Sequence, residues 1–153
     1  MNRNTELLLA MRSVARRFDR IQGEIGAAFG LTQIEVSILA FLRNNPGRDT
    51  ASDIIELRGF SKGAVSQGID RLVRRGLLER TADGGDRRRV RLRPTAAASP
   101  VCEALGEARG RYFDACFAGF SEEELARYFA LTDRVVANVL SRDVPEGDEN
   151  GTK

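Results

Sequence analysis

Residues 61–92 read SKGAVSQGIDRLVRRGLLERTADGGDRRRVRL, and a change of period inside this stretch decides the fold. Over Ser61–Arg75 the apolar residues Val65, Ile69, Leu72 and Val73 recur at helical spacing, while Lys62, Ser66, Gln67, Asp70, Arg71 and Arg74 lie on the other side. Gly76 is placed to end that helix. From Leu77 the period falls to two. Leu77–Thr81 reads as a short strand, Asp83-Gly84-Gly85 as a turn, and Val90-Arg91-Leu92-Arg93 as a strand with one buried face, ended by Pro94. The stretch therefore predicts a polar-faced helix followed by a β-hairpin, with Asp86, Arg87, Arg88 and Arg89 at its tip.

Upstream, residues 5–29 form one predicted helix. Leu7, Met11, Val14, Phe18, Ile21, Ile25 and Ala28 make a continuous apolar stripe, Arg12, Arg16 and Arg20 share another face, and Gly30 stops the helix. Thr32 and Glu35 form a capping box that opens a second helix, with Ile34, Ile38 and Leu42 inward and Asn44-Asn45-Pro46-Gly47 at its end. Thr50 caps a short third helix, Asp53 places a carboxylate at its positive end, and Gly59 breaks it.

Downstream, the helical pattern returns from Thr95 to about Phe120. Ser99-Pro100 reads as an N-cap with proline at N1, so that helix either kinks near residue 100 or begins its regular part there. Ser121 and Glu124 cap a last helix carrying Leu125, Phe129, Thr132, Val136 and Val139 at helical spacing. The polar tail after Arg142 is expected to be disordered.

The composition narrows the chemistry. A chain of 153 residues with 42% hydrophobic residues can bury a core. It contains no histidine, which removes the commonest general base and the commonest zinc ligand. No catalytic residues, metal or cofactor are expected, and only an enzyme working through carboxylates alone would remain. No apolar run approaches the ~20 residues of a membrane span. Leu7, Leu8 and Leu9 are followed at once by Arg12, Arg16 and Arg17, unlike a signal peptide, so the expected compartment is the cytoplasm and no membrane partner is expected. The net charge of +2 conceals an asymmetry: residues 58–93 hold eleven basic and four acidic residues, an excess of +7 that leaves −5 for the remainder. Such a basic segment is the electrostatic footprint of a polyanion partner.

Helix, short helix, helix and hairpin over Thr32–Leu92 make a helix-turn-helix with a wing, whose second helix suits the major groove. Lys62, Arg71 and Arg74 can neutralise phosphates, Ser66 and Gln67 can hydrogen-bond to base edges, and the small Gly63 and Ala64 permit close approach. An arginine at the hairpin tip matches the negative potential of a narrow minor groove, and Asp86 is spaced to hold it in a fixed fork. The candidate DNA-contacting residues are thus Ser61, Lys62, Gly63, Ser66, Gln67, Arg71 and Arg74 on the helix and Asp86, Arg87, Arg88 and Arg89 on the wing.

Val65-Ser66, Asp70-Arg71-Leu72, Gly76-Leu77-Leu78-Glu79-Arg80 and Asp86-Arg87-Arg88 together resemble the recognition helix and wing of the MarR family. The resemblance in element order runs over roughly residues 5–142. It implies a mainly α fold with a small β-wing, in which a winged helix-turn-helix is joined to dimerisation helices at both ends. It also implies a homodimer on palindromic double-stranded DNA, Arg88 as the minor-groove arginine, and a small aromatic or phenolic effector that releases DNA. Three departures stand out: Gln67 where the family often has arginine, Gly68 in mid-helix, and Pro94-Thr95-Ala96-Ala97-Ala98 in place of L-T-x-x-G.

The expected organisation is a dimerisation helix over 1–30, the winged domain over 31–94, dimerisation helices over 95–142 and a tail over 143–153. Phe18, Phe41, Tyr112 and Phe113 belong either to the core or to an apolar pocket, and no motif marks a ligand site. Cys102 and Cys116 read as small buried hydrophobes, about 21 Å apart along one helix and too distant for a disulfide within it. A protein-interaction module without DNA binding and a thiol-based redox regulator are the alternative readings.

Overall fold

The computed structural model describes residues 2–82 and 90–141. Among these, α1 spans Arg3–Ala28, α2 Gln33–Asn44, α3 Ala51–Arg58 and α4 Lys62–Arg74. The strands β1 (Leu78–Ala82) and β2 (Val90–Pro94) follow, then a 3-10 turn at Ala96–Ala98, α5 over Ser99–Cys116 and α6 over Glu122–Leu140. The fold is mainly α with a two-stranded wing, as the sequence predicts. Of the two alternatives at residue 100 the second holds: the regular part of α5 begins at Ser99, with the residues before it in the 3-10 turn. One boundary needs correction, since α5 ends at Cys116 instead of running to Phe120.

The helix starts are set by local chemistry. The Glu35 carboxylate accepts from the Thr32 N–H at 2.7 Å and from its hydroxyl at 2.9 Å. Asp53 serves Thr50 in the same way at 3.0 and 2.6 Å, and Glu124 accepts from the Ser121 N–H at 2.8 Å. Each box satisfies donors that a helix N-terminus would otherwise leave unpaired.

The described residues divide into two compact units between Tyr112 and Phe113, the boundary falling within α5. The first unit is built around α2, whose Val36, Ile38 and Leu39 are wholly buried. Ile54 of α3, Val65 and Leu72 of α4, Leu78 of β1, Leu92 of β2 and Val101 and Leu105 of α5 pack in the same cluster. Burial of each such side chain contributes about 1.5–3 kcal/mol before the entropy of ordering is counted. Two glycines permit the close helix contacts. A Cβ at Gly26 of α1 would lie 2.5 Å from Val36 Cγ2, and one at Gly68 of α4 would lie 2.7 Å from Ile38 Cδ1. Gly68 looks like a weak point in the sequence; in the fold it is the position where α4 meets α2.

The wing strands are antiparallel, with Leu78 opposite Pro94, Arg80 opposite Leu92 and Ala82 opposite Val90. The alternation in β2 overstates its buried face, since Leu92 is buried but Val90 is 45% exposed. β2 is anchored to the α2–α3 connection. The Leu92 N–H donates to the Asp49 carbonyl at 2.7 Å, and Arg91 reaches both Asp49 carboxylate oxygens at 3.1 and 2.9 Å.

The second unit contains the end of α5 and all of α6. Phe117 is its aromatic centre, with ring centroids of Phe113, Phe120, Tyr128 and Phe129 at 6.3, 5.9, 5.4 and 5.6 Å. No residue of α6 is buried in the single chain, and Leu131, Val135, Val136, Val139 and Leu140 stay exposed. The reading of both cysteines as buried hydrophobes also needs correction: Cys102 is half-buried against the core, but Cys116 is exposed.

Candidate nucleic-acid interface

Helix α4 is amphipathic, and its two sides have different destinations. Val65, Gly68, Ile69 and Leu72 face the core, whereas Lys62, Gly63, Ser66, Gln67 and Arg74 are exposed. Ser61 is the N-cap, and its hydroxyl accepts from the Ala64 N–H at 3.2 Å. A Cβ at Gly63 would meet nothing within 4 Å, so the first turn presents an open surface.

Arg71 does not share that position. Its Nε donates to Glu35 Oε1 at 2.8 Å, with Glu35 only 3% exposed and Arg71 35% exposed. Burial pushes the Glu35 carboxyl up, but the Thr32 N–H, the Arg71 guanidinium and the Thr32 hydroxyl together hold it below the usual value. The pair therefore locks α4 onto α2. Three further contacts, which sequence reading missed, brace the wing root. Arg80 of β1 pairs with Asp70 of α4, Arg91 pairs with Asp49, and the Thr95 hydroxyl donates to the Gly76 carbonyl. Asp70, Gly76 and Arg80 had a sequence signal, as members of the Asp70–Leu72 and Gly76–Arg80 motifs, but their pairings did not.

A cleft of about 240 Å³ runs between α3, α4 and the wing. Lys62, Ser66, Arg80 and Ser52 line it together with the apolar Ile55, Ile69 and Leu92. The expected wing-tip residues Asp86, Arg87, Arg88 and Arg89 lie outside the described residues, as do the Gly84-Gly85 turn and the 143–153 tail.

A second cavity of about 300 Å³ lies on the α1 side of α2. Phe18 of α1, Phe41, Asn44 and Asn45 at the end of α2, Leu57 and Arg58 of α3 and Arg109 of α5 line it. Arg58 Nη2 lies 3.6 Å from Asp19, while its Nε is buried with no hydrogen-bond partner. Of the four aromatics read as core or pocket, Phe18 and Phe41 line this cavity. Tyr112 is buried against Phe18, ring centroids 5.3 Å apart, and donates to the Val14 carbonyl at 2.8 Å; Phe113 belongs to the aromatic cluster of the second unit.

Among the described residues, no three His, Cys, Asp or Glu side chains gather to hold a metal ion, and no single helix is long and apolar enough to cross a membrane. Burial pushes the Cys102 thiol up, and the nearby Arg43 offsets this only in part, which disfavours the reactive thiolate.

The sequence model of the MarR family matches residues 29–89, which hold α2, α3, α4 and the start of the wing. The chain is 29% identical over 106 residues to the uncharacterized HTH-type transcriptional regulator YcgE of Bacillus subtilis (strain 168), covering 69% of this chain and 68% of that one. Among solved structures, a MarR family transcriptional regulator from Silicibacter pomeroyi aligns over 90% of each chain with a TM-score of 0.72 and 23% identity. BpsR of Bordetella bronchiseptica, whose DNA binding is regulated by 6-hydroxynicotinic acid, aligns over 86% of this chain and 98% of its own, with a TM-score of 0.61 and 21% identity. These structural likenesses speak for the fold; the helix-turn-helix motifs and the match over residues 29–89 speak for the family. Residues 29–89 match the MarR family of winged helix-turn-helix transcriptional regulators, and the chain as a whole shares the fold of solved MarR-family structures.

Proposed function

We propose that this regulator is a repressor that binds a pseudo-palindromic operator as a homodimer and is released by a small aromatic acid. The observation that carries the DNA reading is the exposed face of α4. Lys62 and Arg74 supply phosphate contacts, Ser66 and Gln67 supply base-edge hydrogen bonds, and the opposite face is anchored in the core. In this reading Arg88 enters the minor groove, Arg87 and Arg89 add positive charge beside it, and Asp86 orients the arginines. Dimerisation is supported by exposed apolar residues on α1 (Leu7, Leu8, Met11, Val14) and on α6 (Val135, Val136, Val139, Leu140). Such patches are normally covered by a partner.

The effector reading rests on the α1-side cavity. Phe18, Phe41 and Leu57 offer an apolar wall for a ring, and the polar remainder of the lining, Asn44, Asn45, Arg58 and Arg109, suits a carboxylate. The experiment is to select genomic fragments with the purified protein and measure their binding at several salt concentrations. A shared palindrome with half-sites about 10 bp apart and a steep fall of affinity with salt are expected, with aromatic carboxylic acids releasing the DNA. No enriched sequence together with a shallow salt dependence would identify a protein-interaction module.

A further inference from the structure

Three arginines near the end of α4 have three destinations. Arg74 is exposed, Arg71 turns to Glu35, and Arg75, the C-cap residue, crosses to α1. Arg75 Nη1 donates to the Gly30 carbonyl at 2.7 Å and Nη2 to the Phe29 carbonyl at 3.1 Å. Phe29 is the C-cap of α1 and Gly30 the residue after it, so both carbonyls lie at the exit from that helix. The last turn of α1 has no basic residue of its own, so Arg75 brings a positive charge to the negative end of that helix. Gly30, at φ +65, turns the chain out of α1 at this point. The planar fork of a guanidinium spans two successive carbonyls, which a lysine ammonium cannot do in a fixed orientation.

We propose that Arg75 is a positioning residue: it ties the end of the recognition helix to the end of the N-terminal helix and thereby sets the separation of the two recognition helices in the dimer. This rests on the reading of the protein as a dimer on two half-sites. The reasoning is one of leverage. α4 has 13 residues, so it is about 20 Å long. A tilt of about 5° at the Arg75 end moves the groove-entering end by roughly 1.7 Å over that length. Productive site geometry is held to within about 0.5 Å. α1 carries exposed apolar residues suited to the partner, so a change in the α1–α4 connection is doubled across the symmetry axis.

The test compares wild type, Arg75→Ala, Arg75→Gln and Arg75→Lys on three duplexes: the selected operator, the operator with one base pair inserted between half-sites, and random sequence. Thermal unfolding and light scattering check that each variant is folded and has the wild-type mass; if Arg75→Ala is not folded, the other two variants decide. Wild type should discriminate strongly against the insertion. Arg75→Ala should lose roughly fivefold or more of that discrimination, while affinity for random duplex changes by less than about twofold. Arg75→Lys should fall between. The proposal is overturned if the spacing discrimination is unchanged. It is equally overturned if all three duplexes weaken together with a salt slope smaller by about one, which would make Arg75 a phosphate contact. A wild-type protein indifferent to spacing would overturn the dimeric operator reading itself, a result distinct from either of these.

Discussion

The guanidinium of Arg71 on α4 donates to the buried carboxylate of Glu35 on α2 at 2.8 Å, so the same carboxylate that caps α2 also holds α4. A helix-turn-helix depends on a fixed angle between its two helices, and here a charged hydrogen bond adds to the apolar packing that sets it. Because Arg71 is a third exposed, solvent weakens the pair relative to a fully buried one.

Glu35→Gln should therefore destabilise the protein by about 2 kcal/mol at pH 7. The pH dependence follows from the direction of the shift. The folded carboxyl lies below its ordinary value of 4.5, so its stabilisation is present at neutral pH and is lost as pH falls through the folded pKa. Wild-type unfolding midpoints should drop on acidification, and the drop should be smaller in Glu35→Gln. Parallel acid limbs would refute this account of Glu35.

Gly68→Ala tests packing against propensity. Helix propensity alone predicts a gain of about 1 kcal/mol. The added Cβ would sit 2.7 Å from Ile38 Cδ1 and 3.3 Å from Ile34 Cγ1, in a place with little room to relax. Overpacking of this kind costs about 1–3 kcal/mol, so the net change should be a loss. Denaturant unfolding decides the sign.

Gln67→Ala and Arg74→Ala should separate base reading from charge. Loss of a bidentate contact from Gln67 should change which base is preferred, at about 1–3 kcal/mol. Loss of Arg74 should weaken all sequences alike and lower the salt slope by about one. Identical effects would mean that neither side chain reads bases.

The exposed apolar residues of α6 predict that light scattering gives about twice the 16.9 kDa chain mass. Val136→Glu should shift the protein toward monomer at micromolar concentration, because it places a charge in the apolar patch. An unchanged mass would exclude this face from the dimer contact.

The wing yields a prediction with opposite signs. Asp86 stands two residues before Arg88. As a simple negative charge near DNA, its replacement by alanine should tighten binding; as the residue that orients the tip arginines, its replacement should weaken it. We expect weaker operator binding for Asp86→Ala, and only partial retention for Arg88→Lys, since the guanidinium is the more weakly hydrated cation. A clear gain in affinity for Asp86→Ala would leave the wing as a plain cationic clamp.

Much of this architecture was legible in the sequence because it is encoded locally. Capping boxes at Thr32, Thr50 and Ser121, the positive-φ glycines Gly30, Gly59 and Gly76, and the switch from helical to alternating period at Leu77 each act over a few residues. The polar face of α4 follows from the same periodicity. What the tertiary structure alone decided are relations between residues far apart in the chain. Gly68 is a helix-weakening residue by propensity and a required contact beside Ile38. Arg71, Arg74 and Arg75 are alike as sequence, but one turns to Glu35, one to solvent and one to the end of α1. Val90 alternates correctly and is exposed all the same, because a two-stranded wing has a core under Leu92 and none under its outer end. A side chain's partner depends on which element packs across from it, and that depends on how the whole chain closes around α2.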